Sequence, residues 1–141
     1  MQYNDSILLV SRVDGSVFRS ADDAKTFEPI QYIEINESFE QINMRSMTYA
    51  GNGTFFFGIS LGNYINNLSQ QALIYKSTDY GLTWRAVFNV TSDLFDSTVF
   101  SIKALSNTII IAGTGQPDGE FTKIFRSEDA GESWMEVLNV K

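Results

Sequence analysis

The sequence predicts an all-β fold made of four-stranded antiparallel units, and three observations lead to this prediction. Short apolar runs alternate with turn signals along the chain, and no window shows the i, i+3, i+4, i+7 spacing of an amphipathic helix. Aromatic residues make up 13% of the 141 residues, with 11 Phe and 6 Tyr, a composition that favours strands. One eight-residue pattern recurs, which indicates that the strands belong to a repeated unit.

The recurring pattern is a polar turn that follows an apolar run. It reads STDYGLTW at 77–84 and SEDAGESW at 127–134, and a degraded copy, SADDAKTF, occupies 20–27. We call these three segments the repeat turns. Similarity extends beyond them, because IYKSTDYGLTWRAVFNV and IFRSEDAGESWMEVLNV match along their whole length. The chain is therefore expected to divide into repeat 1 (1–35), repeat 2 (36–92) and repeat 3 (93–141).

Each complete repeat reads as four short strands. In repeat 2 the pair Asn52-Gly53 is a strong hairpin signal, and strands are predicted at 44–50, 54–61, 71–77 and 83–90. Repeat 3 follows the same order, with strands predicted at 98–105, 108–113, 121–127 and 133–139. Four antiparallel strands in repeats of roughly 50 residues are typical of the blades of a β-propeller.

Repeat 1 is expected to lack its innermost strand. Its counterpart of the hairpin turn lies at 4–6, so the apolar segment at 7–12 is its second strand, and little precedes the turn. Three repeats are fewer than the roughly four to eight blades with which propellers close. Two explanations stay open: a homo-oligomer, with a twofold dimer completing a six-bladed ring, or the remainder of a longer chain.

The composition of the repeat turns predicts a structural role. The Asp carboxylate is expected to accept a hydrogen bond from the backbone N–H two residues on, as in an Asx turn. The Gly permits a positive φ, and the Trp supplies a large apolar surface for packing. Repeat 1 has Ala24 in place of the Gly and Phe27 in place of the Trp. The residues assigned to this role are Ser20, Asp22, Phe27, Ser77, Asp79, Gly81, Trp84, Ser127, Asp129, Gly131 and Trp134.

The pattern S-x-D-x-G-x-[ST]-W resembles the Asp-box, or bacterial neuraminidase repeat, of sialidases and several other β-propeller families. Two full copies and one partial copy lie in register with the strand repeats. The resemblance implies that the repeat turns are fold elements on the face opposite an active site. It also implies that any ligand binds on the other face, where the loops between second and third strands meet those between blades.

The loops expected on that ligand face are rich in acidic residues and contain no Lys or Arg. A calcium site, a general acid/base pair and a solvated acidic rim are the interpretations left open, although DLFDS and PDGE lack the ligand spacing of a recognised calcium loop. A loop Tyr beside several Asn residues could stack against a sugar ring. The candidate ligand-contacting residues are Arg45, Tyr64, Asn66, Asp93, Asp118 and Glu120.

Composition excludes several classes of function. The chain has no His and no Cys, so the usual general base, a thiolate nucleophile and a thiolate zinc site are absent. No catalytic residue, metal ligand or cofactor is therefore assigned. A net charge of −7 disfavours nucleic acid as a partner, and neither a targeting segment nor a membrane span of about 20 apolar residues is found.

Two functions follow from these observations. Sialidases clamp the substrate carboxylate with three arginines, and of the arginines here Arg12 and Arg45 alone are expected to reach the ligand face. The sequence therefore favours a non-catalytic scaffold that contacts carbohydrate or protein, in a microbial surface protein or a virion or phage appendage. The alternative is part of an Asp-box glycoside hydrolase whose catalytic residues lie mostly outside this chain. A carboxylate pair about 5–10 Å apart on the ligand face would support that alternative.

Overall fold

The computed structural model describes residues 2–4, 6–30, 41–62, 71–90, 98–115 and 122–140. Within these ranges every regular element is a strand, and the strands form three antiparallel sheets of four. Within each sheet the strands pair in chain order, which is the meander of a propeller blade. The predicted all-β blade architecture is confirmed. The described residues include no helix long and apolar enough to cross a membrane.

The three sheets are blades 1, 2 and 3. Blade 1 contains β1 (Gln2–Asn4), β2 (Ile7–Ser11), β3 (Val17–Ser20) and β4 (Glu28–Ile30). Blade 2 contains β5 (Gln41–Gly51), β6 (Thr54–Gly62), β7 (Gln71–Ser77) and β8 (Arg85–Val90). Blade 3 contains β9 (Thr98–Ala104), β10 (Ile110–Gly115), β11 (Thr122–Ser127) and β12 (Met135–Val140). The repeat boundaries expected at 35/36 and 92/93 fall outside the described residues.

The expectation that repeat 1 lacks its innermost strand is wrong. β1 pairs antiparallel with β2, with Gln2 opposite Leu9 and Asn4 opposite Ile7. All three residues of β1 pair with residues of β2, which is enough to form the strand. The segment predicted at 7–12 therefore has an inner neighbour within this chain. A three-residue strand shows no periodicity, which is why the pattern missed it.

The Asn52-Gly53 hairpin is present between β5 and β6. Asn52 has a φ of 50° and Gly53 a φ of 73°, and Gly51 pairs with Thr54 on either side of them. Two consecutive positive φ angles are what a type I′ turn requires, and its twist matches that of the flanking strands. The sequence signal and the backbone geometry agree at this position.

The hydrophobic core lies between blades. One cluster joins blades 2 and 3 and includes Phe56 and Ile110, and another joins blades 1 and 2 and includes Val17 and Phe57. Successive side chains of a strand point to opposite faces, so Phe56 faces blade 3 while Phe57 faces blade 1. β6 is covered on both sides, which explains why its apolar residues run continuously instead of alternating.

The first strands of neighbouring blades lie against one another, β1 against β5 and β5 against β9. They therefore form the inner edge of the three-blade arc. The second strand of blade 2 also contacts the first strand of blade 3, and Gly58 of β6 allows this contact because a Cβ there would stand 2.3 Å from Cγ1 of Val99 on β9. Close contact between the second strand of one blade and the first strand of the next requires the absence of a side chain.

Candidate functional site

Each repeat turn is closed by hydrogen bonds to its Asp carboxylate. In the blade 2 turn, Oδ1 of Asp79 accepts from the backbone N–H groups of Leu82 (3.1 Å) and Thr83 (2.9 Å). The hydroxyl of Ser77 also donates to Oδ1 at 2.8 Å, and that of Thr83 donates to Oδ2 at 2.5 Å. These N–H groups belong to residues three and four positions after Asp79. The predicted Asx turn, with a hydrogen bond from the N–H two positions after the Asp, is therefore wrong. The carboxylate spans a longer turn.

The longer turn arises from two consecutive residues with positive φ. They are Tyr80 and Gly81 in blade 2, at 61° and 81°. This conformation directs the Gly81 N–H to the hydroxyl oxygen of Ser77, at 2.9 Å. In blade 1 Ala24 holds the same position with a φ of 65° and makes the same bond to Ser20. A Cβ is disfavoured in this region, so Ala24 is strained where glycine is not.

The other two turns repeat the arrangement. Thr26 donates to Asp22 in blade 1, and Ser133 donates to Asp129 in blade 3, each through both its hydroxyl and its backbone N–H. Hydrogen bonds lower the pKa of Asp22 to about 2, with the largest effect from the Thr26 hydroxyl, and lower the pKa of Asp129 to about 2, with the largest effect from the Ser133 hydroxyl. Burial would raise the pKa of Asp79, but its hydrogen bonds outweigh this effect and the pKa is lowered. These carboxylates are bonded anions, not proton donors.

Each glycine of a repeat turn also touches the preceding blade. A Cβ on Gly81 would stand 2.9 Å from Cδ1 of Leu9 on β2, and one on Gly131 would stand 2.5 Å from Cε1 of Phe56 on β6. Leu9 and Phe56 occupy the same position in their blades, because each pairs with the residue that precedes the Ser of its turn. The absent side chain therefore allows contact between blades as well as a positive φ.

A basic residue of the preceding blade contacts each of the turns in blades 2 and 3. Nε of Arg19 donates to the carbonyl oxygen of Tyr80 at 2.9 Å, and Nζ of Lys76 donates to Oε1 of Glu132 at 2.6 Å. Lys76 is buried, with Nζ 5.8 Å from the centroid of the Phe56 ring. Sequence reasoning placed these basic residues beside the turns but missed their role. The available signal was a basic residue before each turn, at 19, 76 and 126.

The tryptophans of the turns in blades 2 and 3 pack against the cores between blades. The Trp84 ring lies 4.5 Å from that of Phe57, and the Trp134 ring stacks on that of Phe88 in blade 2, 5.4 Å away. Each indole N–H donates to the carbonyl oxygen of the turn glycine at 3.1 Å. Phe27, at the same position in blade 1, is 41% exposed.

The inner edge carries a second candidate site, built on two β-bulges. Met44 pairs with Ile59 and the next pairing joins Ser46 to Gly58, so Arg45 is the extra residue of a bulge in β5. Phe100 is the extra residue of a bulge in β9, next to the pair formed by Ser101 and Gly113. Bulges redirect side chains and are frequent beside functional sites.

Arg45 and Phe100 meet across the junction between blades 2 and 3. Cζ of Arg45 lies 5.6 Å from the centroid of the Phe100 ring, within the range of a cation–π contact. Both side chains are exposed. Of the candidate ligand-contacting residues, Arg45 alone can be placed. The other candidates, Tyr64, Asn66, Asp93, Asp118 and Glu120, lie outside the described residues.

The described part of the chain contains no group of three or more acidic side chains placed to hold a metal ion. The repeat turns offer bonded carboxylates, and the bulge pair offers a cation beside an aromatic ring. The bulge pair is therefore the better candidate for contact with a ligand, whereas the turns of blades 2 and 3 contact the preceding blade.

No protein-family model and no curated protein sequence matches the chain. Solved structures do match it. YCF48 bound to D1 peptide has a TM-score of 0.64 and 18% identity over 96% of this chain and 38% of that chain. Hadza microbial sialidase Hz136 has a TM-score of 0.64 and 20% identity over 87% of this chain and 24% of that chain. A protein of unknown function from Dyadobacter fermentans has a TM-score of 0.63 and 23% identity over 87% and 37%.

These similarities show the fold, a set of β-propeller blades. The chain spans at most 38% of the length of these three structures. At this level of identity the activity of each neighbour belongs to that neighbour alone.

Proposed function

We propose that this chain is a non-catalytic β-propeller module that binds an extended protein segment along the inner edge of its blades. The observation that carries the proposal is the contact between Arg45 and Phe100. Equivalent bulges on neighbouring first strands place an exposed guanidinium beside an exposed aromatic ring. Such a pair fits a binding surface better than a core.

The chemistry of the pair defines the segment that it would bind. Arg45 offers a permanent positive charge and a planar set of N–H donors, which match a carboxylate. Phe100 offers an apolar face for a neighbouring hydrophobic side chain. The ligand is therefore a peptide with an acidic group next to an apolar residue. The neighbour described as YCF48 bound to D1 peptide supports a peptide as the ligand class.

Two further observations support a scaffold over a hydrolase. The three-arginine clamp that a sialidase would need does not assemble among the described residues. The arginines other than Arg45 are engaged locally or at a junction: Arg12 with Asp14, Arg19 with Tyr80, Arg85 with Glu132, and Arg126 with Glu128. The alternative is part of an Asp-box glycoside hydrolase whose catalytic residues lie mostly outside this chain, and the form of the repeat turns is the observation that favours it.

We assign the repeat turns as structural Asp-boxes, and we place the three blades in a closed propeller. Their hydrogen bonds and their contacts with the preceding blade support a structural role. Closure by a second copy, or by the remainder of a longer chain, would bring the inner strands around one channel. A peptide at Arg45 and Phe100 would then lie on the wall of that channel.

The proposal is tested by selection from a random peptide library displayed on phage. The selected peptides should be enriched in Asp or Glu next to an aliphatic or aromatic residue. Synthetic versions should bind the Arg45→Ala variant at least about tenfold more weakly, a loss of about 1.4 kcal/mol. Arg85→Ala removes an exposed arginine from another surface and should leave the affinity unchanged. Equal affinities for Arg45→Ala and the wild type would refute the assignment.

A further inference from the structure

Blade 3 has a face that no described blade covers, and its residues match those with which blade 2 holds blade 3. Phe56 of blade 2 pairs with Lys76, the residue before the repeat turn, and in blade 3 Ile111 pairs with Arg126 in the same way. By the same register, Ile124 and Leu138 correspond to Ile74 and Phe88. We call Ile111, Ile124, Arg126 and Leu138 the open face of blade 3.

The burial of the two sets differs although their positions are equivalent. Phe56 and Ile74 are fully buried in the junction between blades 2 and 3. Ile111 and Ile124 are half-buried, and Leu138 is 44% exposed. An exposed apolar surface at the position of a buried junction marks a docking surface.

Blade 1 carries the other half of a junction. Gly131 and Trp134 of blade 3 pack against blade 2. The equivalent residues of blade 1 are Ala24 and Phe27. Both are exposed, and Phe27 is the larger apolar group. One chain therefore exposes both complementary surfaces of a blade junction.

The residue differences on the two surfaces are complementary. A Cβ at Gly131 would collide with the Phe56 ring, but the methyl group of Ala24 would meet Ile111, which has no ring. Phe27 would pack on Leu138 as Trp134 packs on Phe88. The surface with Ala24 in place of glycine would therefore face the surface with Ile111 in place of phenylalanine.

Charge favours the same arrangement. Arg19 reaches the carbonyl oxygen of Tyr80 across an observed junction, and the blade 1 residue equivalent to Tyr80 is Asp23. Arg126 now pairs with Glu128 of its own turn. The blade 1 turn has Lys25 at the position of Glu132, the residue that forms the ion pair with Lys76. Because Lys25 carries a positive charge, Arg126 cannot form an equivalent ion pair with it. Arg126 can instead donate to a backbone carbonyl oxygen, as Arg19 does to Tyr80, and the negative charges of Asp22 and Asp23 would favour its approach.

We propose that blade 1 of a second copy docks on the open face of blade 3, and that its blade 3 receives blade 1 of the first copy. Arg126 then donates to the carbonyl oxygen of the partner's Asp23, and Leu138 covers the partner's Phe27. Two such junctions related by a twofold axis close a ring of six blades. This inference rests on the closed propeller proposed above and identifies the residues that close it.

Cross-linking tests the junction directly, because the chain contains no cysteine of its own. The double variant Phe27→Cys, Leu138→Cys, treated with a short bis-maleimide, should yield covalent dimers. The matched pair Val13→Cys, Leu138→Cys moves one cysteine to an exposed residue in the turn between β2 and β3, away from the junction, and should stay uncoupled. Equal yields from the two pairs would overturn the proposed contact.

Light scattering tests the second copy as the occupant. The wild-type chain should show twice the mass of one chain, and Leu138→Asp should weaken dimerisation at least about tenfold. Val13→Asp adds the same charge elsewhere and should remain a dimer. A single-chain mass for the wild type, with no cross-link in the Phe27→Cys, Leu138→Cys variant, would overturn the proposal. Peptide binding at Arg45 is measured separately, so failure of the junction and failure of the ligand site are distinguishable.

Discussion

Nζ of Lys76 donates a 2.6 Å hydrogen bond to Oε1 of Glu132, so a buried cation of blade 2 is neutralised by the repeat turn of blade 3. The same oxygen accepts from Arg85 at 2.5 Å. Hydrogen bonds from Arg85 and Lys76 lower the pKa of Glu132. The junction is thus held by a charged contact as well as by its apolar core, and this contact can be tested by substitution.

Glu132→Ala should lower the free energy of unfolding by about 1–3 kcal/mol, because it leaves the Lys76 ammonium buried without its carboxylate. The value stays below that of a fully buried pair since Glu132 is half-exposed. Urea denaturation at neutral pH measures the change. Glu128→Ala, which removes a more exposed ion pair, should cost less than about 1 kcal/mol. Similar costs for both variants would show that Lys76 does not depend on Glu132.

Gly131→Ala should destabilise the fold by about 2–4 kcal/mol. The added methyl group combines left-handed strain with a collision against the Phe56 ring. Adding Phe56→Leu should recover part of the loss, and a double-mutant cycle in urea measures that coupling. Ala24→Gly is the control, because it relieves strain and should change stability by less than about 1 kcal/mol. Additive effects of Gly131→Ala and Phe56→Leu on the free energy of unfolding would contradict a steric collision between residue 131 and the Phe56 ring.

Trp134→Ala should cost about 2–4 kcal/mol, because it removes the ring that stacks on Phe88. Trp84→Ala should cost a similar amount through its contact with Phe57. The Phe27 ring is 41% exposed within one chain, so Phe27→Ala should cost less when it is made in the Leu138→Asp background, where the proposed dimer is weakened. Guanidinium denaturation of the three variants gives the comparison. Losses below about 1 kcal/mol for both Trp variants would show that the rings do not stabilise the junctions.

Stability should fall as the pH drops from about 4 to about 2. The pKa values of Asp22 and Asp129 are about 2 in the folded chain, below the ordinary value of 3.8 that applies once the chain unfolds. The ionised carboxylates therefore stabilise the fold fully above pH 3.8, and this contribution is lost as the pH falls through the folded pKa.

A urea series at several pH values measures this dependence. Asp129→Asn removes one titrating group, so its stability should depend less steeply on pH than that of the wild type. Ser133→Ala keeps the carboxylate but removes the hydroxyl that lowers its pKa, and should reduce the slope by a smaller amount. An unchanged slope in Asp129→Asn would show that this carboxylate does not contribute to acid unfolding.

The strands of blades 2 and 3 could be predicted because their turn signals are local. Asn52-Gly53 specifies its own backbone angles, and the repeat turns mark where third strands end. The bulge at Arg45 could not be predicted from the sequence, because it depends on the register between β5 and β6 and is not associated with a particular residue type here. The contact between Lys76 and Glu132 joins positions that only blade packing brings together. Sequence patterns therefore predict the blades, whereas the contacts between blades depend on how the sheets pack.

The hydrogen bonds within each repeat turn join residues no more than four positions apart, and this affects how the chain folds. Such a turn can form without contacts to distant parts of the chain, and the hairpin that contains it can form in about 1–10 μs. The cores between blades join residues far apart in sequence and form more slowly. We expect the third and fourth strands of each blade to be structured in the rate-limiting transition state, before neighbouring blades dock. Ser127→Ala should then slow refolding, whereas Phe88→Ala should mainly speed unfolding, and stopped-flow chevron plots separate the two effects.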